Sequence, residues 1–294
     1  MGQDLAQHVP SAREAFDTAS EVLGYDLLSL CTGGPEEQLK RTEYAQPALL
    51  VTGIACWRAA RERGLTASFA AGHSLGEYTA LVAVGALGLK EAVRLVKRRG
   101  ELMAQAAAKR PGAMTALLGL TREQVERVCT QAAEAGVVQP ANFNCPGQIV
   151  ISGETQAVAE ARKLASAEGG KAIPLPVSGA FHSTLMAEAA EQFARELTSA
   201  TIFDAGIPVV ANVSANYVRA ADEIRSALSR QITSPVLWED SMRRLITDEV
   251  STFIELGPGG KLTGILARID PAARRLCIED TASLDKALEE LVGA

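Results

Sequence analysis

Apolar residues return every three or four positions over residues 11–23 and again over 46–63, where Leu49, Leu50, Ile54 and Trp57 share one face ahead of a basic, solvated end. Both stretches predict amphipathic helices. Residues 66–70 are short and β-tolerant and predict a strand, whereas 77–87 is rich in Ala, Leu and Val, lacks proline and predicts a helix. A further helix is expected from Lys90 to about Ala108, closed by Arg110-Pro111-Gly112, with Ala92, Leu95, Val96, Leu102 and Met103 as its apolar stripe.

The pattern changes after that break. Strands are expected at 113–120, 137–143, 147–152 and 171–177, with helices at 121–135, capped by Thr121, and at 154–168. The order βαββαβ is the ferredoxin-like pattern. It predicts a small subdomain, residues 112–177, inserted into a larger α/β domain made of 1–111 and 178–294. In the second part of that domain, helices are expected at 183–199, 221–231, 238–248 and 261–268, and strands at 207–212 and 251–256. Gly257-Pro258-Gly259-Gly260 turns the last strand into its helix.

With 294 residues, 47% of them hydrophobic and 22% charged, the chain can bury a large core and is not disordered. The longest apolar stretches, such as 80–89, are interrupted by glycine or end in charge well short of a membrane span, and no cationic N-terminus precedes an apolar signal core. A cytoplasmic protein with no membrane partner is expected. A net charge of −6, with no basic tract longer than Lys97-Arg98-Arg99, argues against a nucleic-acid partner. Five scattered cysteines without a C-x-x-C pair support neither a disulfide framework nor a zinc site. His8, His73 and His182 are the only histidines, too few for a multi-histidine metal site.

The chemistry concentrates at Gly72-His73-Ser74-Leu75-Gly76, between the strand expected at 66–70 and the helix expected at 77–87. Glycines two positions either side of a serine permit a tight strand-to-helix turn that leaves the hydroxyl at its tip, with the helix N-terminus facing any anion formed there. A Gly-rich turn without chemistry is the alternative. A nucleophilic Ser74 needs a base, and His182, after a strand and at the start of a helix, is the best placed histidine; a capping or packed histidine is the competing reading. Position 99 falls in the apolar stripe of its helix, while Arg94, Lys97, Arg98 and Glu101 sit elsewhere. A guanidinium on a buried face requires an anionic partner, either an internal carboxylate or the carboxylate of a substrate.

The chain resembles the malonyl-CoA:acyl carrier protein transacylases, the acyltransferase family of fatty-acid and polyketide synthesis. The motifs that carry this are Gln46-Pro47-Ala48, GHSLGEY at 72–78, RLVKRRG at 94–100, ANFNCPGQIVISG at 141–153, GAFH at 179–182, RQITSPVLW at 230–238 and ELGPGGKLTG at 255–264. The resemblance implies an α/β-hydrolase-like core with a ferredoxin-like insert. It implies Ser74 as nucleophile, His182 as base oriented by the Gln231 backbone carbonyl, and the Leu75 N–H as an oxyanion donor. Arg99 would bind the malonyl carboxylate, and Phe181 would favour malonyl over methylmalonyl. His73 is counted with this substrate-binding set, although such a turn points its side chain away from the nucleophile. The implied reaction is ping-pong, from malonyl-CoA to Ser74 and then to the phosphopantetheine thiol of acyl carrier protein, with no metal or redox cofactor. Thioester hydrolysis, or an inactive homologue acting as a binding module, are the alternatives. Family members usually open with a strand and an F-P-G-Q-G-S-Q loop whose Gln supplies a second oxyanion N–H. Residues 1–294 contain no such motif, as though the chain started about one strand late, and lower stability and activity are expected of it.

Overall fold

The apolar stripes fold largely as their periodicity predicts. In the computed structural model, which describes residues 1–177 and 179–292, helices Pro10–Leu23, Thr42–Glu62 and Leu89–Lys109 pack together around Phe16, Leu50, Ile54, Leu95 and Val96. Ser178, the expected first residue of the returning segment, lies outside the described residues. The helix expected from residue 46 begins four residues earlier and carries Pro47 inside its second turn.

The molecule has a mixed α/β fold in which, among the described residues, helices surround three small sheets. Two of them lie in the larger core. Ala70–Ala71 pairs in parallel with Val209–Val210, which pairs antiparallel with Tyr217–Val218, and Thr252–Leu256 runs parallel to Arg274–Ile278. The strand expected at 66–70 is therefore nearly absent, because Thr66, Ala67 and Ser68 are exposed and no neighbouring strand covers them. That expected at 207–212 shrinks to two residues. Pro208 brings no N–H, and the Ala211 N–H already turns back onto Asn216. Periodicity also missed the short helices Gln3–His8, Leu27–Gly33 and Glu36–Leu39, and both the strand Arg274–Ile278 and the helix Thr281–Val292.

The third sheet is antiparallel throughout, in the order Val138–Cys145, Gln148–Glu154, Gly112–Leu118, Lys171–Pro174. Strand residues alternate between its faces. Leu117, Ile149 and Ile151 meet Val125, Val128, Val158 and Ala161 of helices Arg122–Ala132 and Thr155–Ala167. Met114, Ala116 and Val150 face the other way, toward Phe181 and Leu175. Thr121 caps its helix as expected, in a reciprocal capping box with Gln124.

Two features of this frame position the site. Strand Val138–Cys145 is an edge strand whose register shifts between Pro140 and Asn142. The irregularity turns its free side toward Val236, which donates its N–H to the Ala141 carbonyl (2.8 Å) and accepts from the Phe143 N–H (2.9 Å). Gly100 is the second feature. A Cβ there would stand 2.7 Å from Glu43 Cα and 3.0 Å from the Thr42 carbonyl, so glycine alone lets helix Leu89–Lys109 cross the start of Thr42–Glu62 at backbone contact. Gln46 and Arg99 meet through that crossing. Gly100→Ala is expected to separate the helices and to cost about 1–3 kcal/mol, the usual penalty of overpacking against atoms that cannot yield. Urea denaturation of the two proteins checks this, and equal midpoints would show that the crossing is slack.

Candidate active site

The turn after Ala70–Ala71 is as tight as its sequence suggests, though its two glycines are not equivalent. A Cβ on Gly72 would lie 1.9 Å from the Gly76 carbonyl oxygen, whereas one on Gly76 would meet nothing within 4 Å. Only the first glycine is sterically required. Between them Ser74 adopts φ 51°, the left-handed region that costs a non-glycine residue energy. Leu75 then begins helix Gly76–Ala83, and its own N–H has no hydrogen-bond partner among the described residues.

His182 also sits in the left-handed region, at φ 58°, just ahead of the short 3-10 turn Thr184–Met186 that precedes helix Ala187–Ser199. Its Nε2 is 2.8 Å from Ser74 Oγ. Its Nδ1 lies 3.0 Å from the Gln231 carbonyl and 3.1 Å from that of Ser234. Two acceptors at Nδ1 oblige this nitrogen to carry the proton, which leaves Nε2 a lone pair for the serine O–H. No carboxylate is needed to orient the ring. Burial, and next the neighbouring charge of Arg99, hold the His182 pKa down at about 3, so the ring is neutral near pH 7.

Arg99 is 1% exposed on helix Leu89–Lys109, on the stripe that periodicity assigned to it. Its Nη1 donates to Gln46 Oε1 (2.6 Å), and its Nη2 donates to Gln231 Oε1 (3.0 Å) and Ser74 Oγ (3.1 Å). The Tyr78 ring lies 5.7 Å from the guanidinium carbon. Arg99 Nε is buried without a partner, and among the described residues no carboxylate comes within ion-pair distance of the side chain. The internal salt bridge considered from the sequence is therefore not formed among them.

The remaining expected residues fall around this centre. The Gln231 side chain ties it together, since Nε2 donates to the Ser74 carbonyl (3.0 Å) and to Glu77 Oε2 (2.7 Å) while Oε1 receives Arg99. Phe181 is half-buried and bridges the larger core and the apolar back face of the four-stranded sheet. His73 points away from Ser74, as such a turn dictates. Its Nε2 pairs with Asn144 Oδ1 at 2.9 Å, and its ring tilts against Trp238. His8 is exposed and remote from the cluster.

Sequence reasoning missed Gln46, Glu77, Asn212 and Ser234. For two of them the signal that found Arg99 was available. Gln46 precedes Leu50 and Ile54 at helical spacing, and Glu77 opens an otherwise apolar helix. Asn212 and Ser234 act from loops and carry no periodic signal. Glu77 is 2% exposed, and burial raises its pKa to about 7 against the opposing hydrogen bonds from Gln231 and Asn212.

A serine hydroxyl facing a neutral imidazole, at a helix N-terminus and beside an unmatched guanidinium, can attack a carbonyl and hold a nearby anion. The comparison with known proteins agrees with that chemistry, for residues 1–273 match the acyl transferase domain family. The chain belongs to the acyl transferase family. Among relatives of this acyl transferase, the malonyl CoA-acyl carrier protein transacylase of Bacillus subtilis is 45% identical over 293 residues, covering 99% of this chain and 92% of that one. The solved structure of a type II PKS acyl-carrier protein in complex with its malonyl-transacylase superposes with a TM-score of 0.96 at 43% identity, covering 99% of this chain and 94% of that one. The malonyl CoA-acyl carrier protein transacylase of Coxiella burnetii also gives 0.96, at 39% identity over 99% and 93% of the two chains.

Neutral buried His182 gives this acyl transferase a pH signature. Its pKa is depressed below the unfolded value near 6.5, so its contribution to stability is complete above about pH 6.5 and is lost as pH falls toward about 3. Relative to His182→Gln, the wild type should lose up to about 1.4 kcal/mol of unfolding free energy per pH unit below that point. Urea titrations at a series of pH values test this, and parallel curves for the two proteins would mean that the ring is charged in the folded state.

Proposed function

We propose that this protein transfers a malonyl group from malonyl-CoA to the phosphopantetheine thiol of acyl carrier protein through an ester on Ser74. The observation that carries the reading is Arg99, a buried cation whose side-chain partners are amides and the Ser74 hydroxyl, 3.1 Å away. A substrate with a free carboxylate beside its reacting carbonyl supplies the missing charge. The relatives at 39–45% identity, malonyl CoA-acyl carrier protein transacylases, support the same substrate pair.

In this reading Ser74 Oγ attacks the thioester carbonyl and passes its proton to His182 Nε2. The tetrahedral oxyanion is met by the Leu75 N–H. Collapse breaks the C–S bond, and the CoA sulfur leaves with the proton from His182. The carrier thiol then gives its proton to His182, attacks the serine ester and restores the Ser74 hydroxyl. The Gln231 and Ser234 carbonyls stabilise the transient imidazolium, the part an aspartate plays in a triad. Phe181 shapes the pocket against a branched malonyl, and His73 braces the nucleophile turn from below rather than touching substrate.

We read residues 1–111 and 178–294 as an α/β-hydrolase-like catalytic subdomain and 112–177 as a ferredoxin-like one. The nucleophile turn supports the first, and the strand order of the antiparallel sheet supports the second.

The test incubates the protein with malonyl-CoA and holo carrier protein and follows both by intact mass. Ser74→Ala is expected to abolish the malonyl adduct and the modification of the carrier; an undiminished adduct would remove Ser74 from the mechanism. Release of free malonate with an unmodified carrier would assign hydrolysis instead. Arg99→Ala should weaken use of malonyl-CoA relative to acetyl-CoA by roughly 10- to 150-fold, the loss of a charge-assisted pair worth about 1.5–3 kcal/mol. An equal fall for both substrates would make Arg99 a structural residue.

A further inference from the structure

The nucleophile turn is held by a side chain that the reaction itself does not use. Asn212 follows the two-residue strand Val209–Val210 and is 1% exposed. Its Oδ1 accepts the Ser74 N–H at 2.6 Å, and its Nδ2 donates to the Gly72 carbonyl at 2.7 Å. One planar amide thus spans the backbone on both sides of His73. The partners are an N–H and a C=O, so the amide fits in one orientation only. Asn212 is itself fixed, because its own N–H donates to Glu77 Oε2 (3.2 Å) and its carbonyl accepts from the Leu237 N–H (3.0 Å). Glu77 also receives Gln231 Nε2, whose other hydrogen bond holds the Ser74 carbonyl. Both peptide groups of the strained residue are thereby tied to buried amides.

We propose that Asn212 is a positioning residue for acyl transfer, whose side-chain amide holds Ser74 in the left-handed conformation from which Oγ meets His182 Nε2. The proposal rests on the reading of Ser74 as the acylated residue. Without the amide, the Ser74 N–H and the Gly72 carbonyl lose buried partners, and the turn relaxes toward ordinary φ values. Oγ then leaves the line between Arg99 and His182. Arg99 keeps Gln46 and Gln231, so binding of the substrate carboxylate is unaffected. The signature is a loss in kcat with little change in KM.

Two variants test this. In Asn212→Ala, single-turnover acylation by malonyl-CoA should fall roughly 10- to 100-fold, the scale of a reacting group displaced by about an ångström, with KM within about twofold of wild type. Asn212→Asp provides a readout that mere destabilisation does not move. A protonated carboxyl copies the amide, its carbonyl accepting from Ser74 N–H and its O–H donating to Gly72, whereas the carboxylate offers no donor. The ratio of its acylation rate to that of wild type should therefore fall as pH rises from about 6 to 8, the range into which burial moves a carboxyl. The titratable groups facing this position are Glu77, His73 and His182, with Arg99 behind Gln231. Glu77, with its pKa raised to about 7 and accepting the residue-212 N–H, titrates as a pair with the new carboxyl, so the fall in the ratio belongs to that pair; the other three groups are common to both proteins. Circular dichroism and a thermal melt confirm that each variant is folded. A pH-independent ratio, or wild-type acylation by folded Asn212→Ala, would overturn the clamp while leaving Ser74 acylation intact. A Ser74→Ala protein that still takes up malonyl would overturn both.

Discussion

A guanidinium buried to 1% exposure with no carboxylate in ion-pair contact among the described residues is the constraint around which the rest of this site is arranged. Removing such a group from water costs several kcal/mol, and here dipoles, a ring face and the more distant Glu77 carboxylate behind Gln231 offset it. Gln46 comes from the first turns of its helix and reaches Arg99 because Gly100 allows the two helices to touch. Gln231 comes from the end of helix Ala221–Gln231, and Tyr78 from the helix behind the nucleophile. Three elements therefore converge on one cation. That cation also helps keep the His182 ring neutral, so the guanidinium and the imidazole are coupled through the same field.

Ser74 and its partner His182 share a second trait. Ser74 and His182 both have positive φ, a conformation normally left to glycine, and both are fixed by hydrogen bonds from buried groups of other segments. Strain of this kind persists only where the surroundings over-determine it. The segment 231–234 serves both residues at once. The Gln231 amide takes the Ser74 carbonyl, and the main-chain carbonyls of Gln231 and Ser234 take His182 Nδ1.

Long helices and the antiparallel sheet were legible because their apolar positions repeat over many residues, as with Ala92 to Met103 or the alternation through Met114 and Leu117. The strands of the larger core were not, since two-residue pieces such as Ala70–Ala71 and Val209–Val210 are too short to show any period. Ser74 stood out by the glycines spaced two positions on either side of it, and Arg99 as a charge whose type contradicts its apolar stripe. By that same contradiction Gln46 and Glu77 were readable and were passed over. Asn212 and Ser234 act through loops that the chain reaches only after folding, so no local pattern announces them.

The pairing of Val236 with the edge of the four-stranded sheet has a mechanical consequence. Two residues before Val236, the Ser234 carbonyl receives the proton-bearing nitrogen of His182, and a few residues earlier the Gln231 amide grips the Ser74 peptide. The sheet and the hydrogen-bonded pair of Ser74 and His182 are thus joined by a short, hydrogen-bonded strap with little slack. His73 and Asn144 form a second tie between the same two bodies. A rotation of the sheet pulls on the serine turn and the imidazole together. The two ties therefore couple any movement of the sheet to the hydrogen bond between Ser74 Oγ and His182 Nε2.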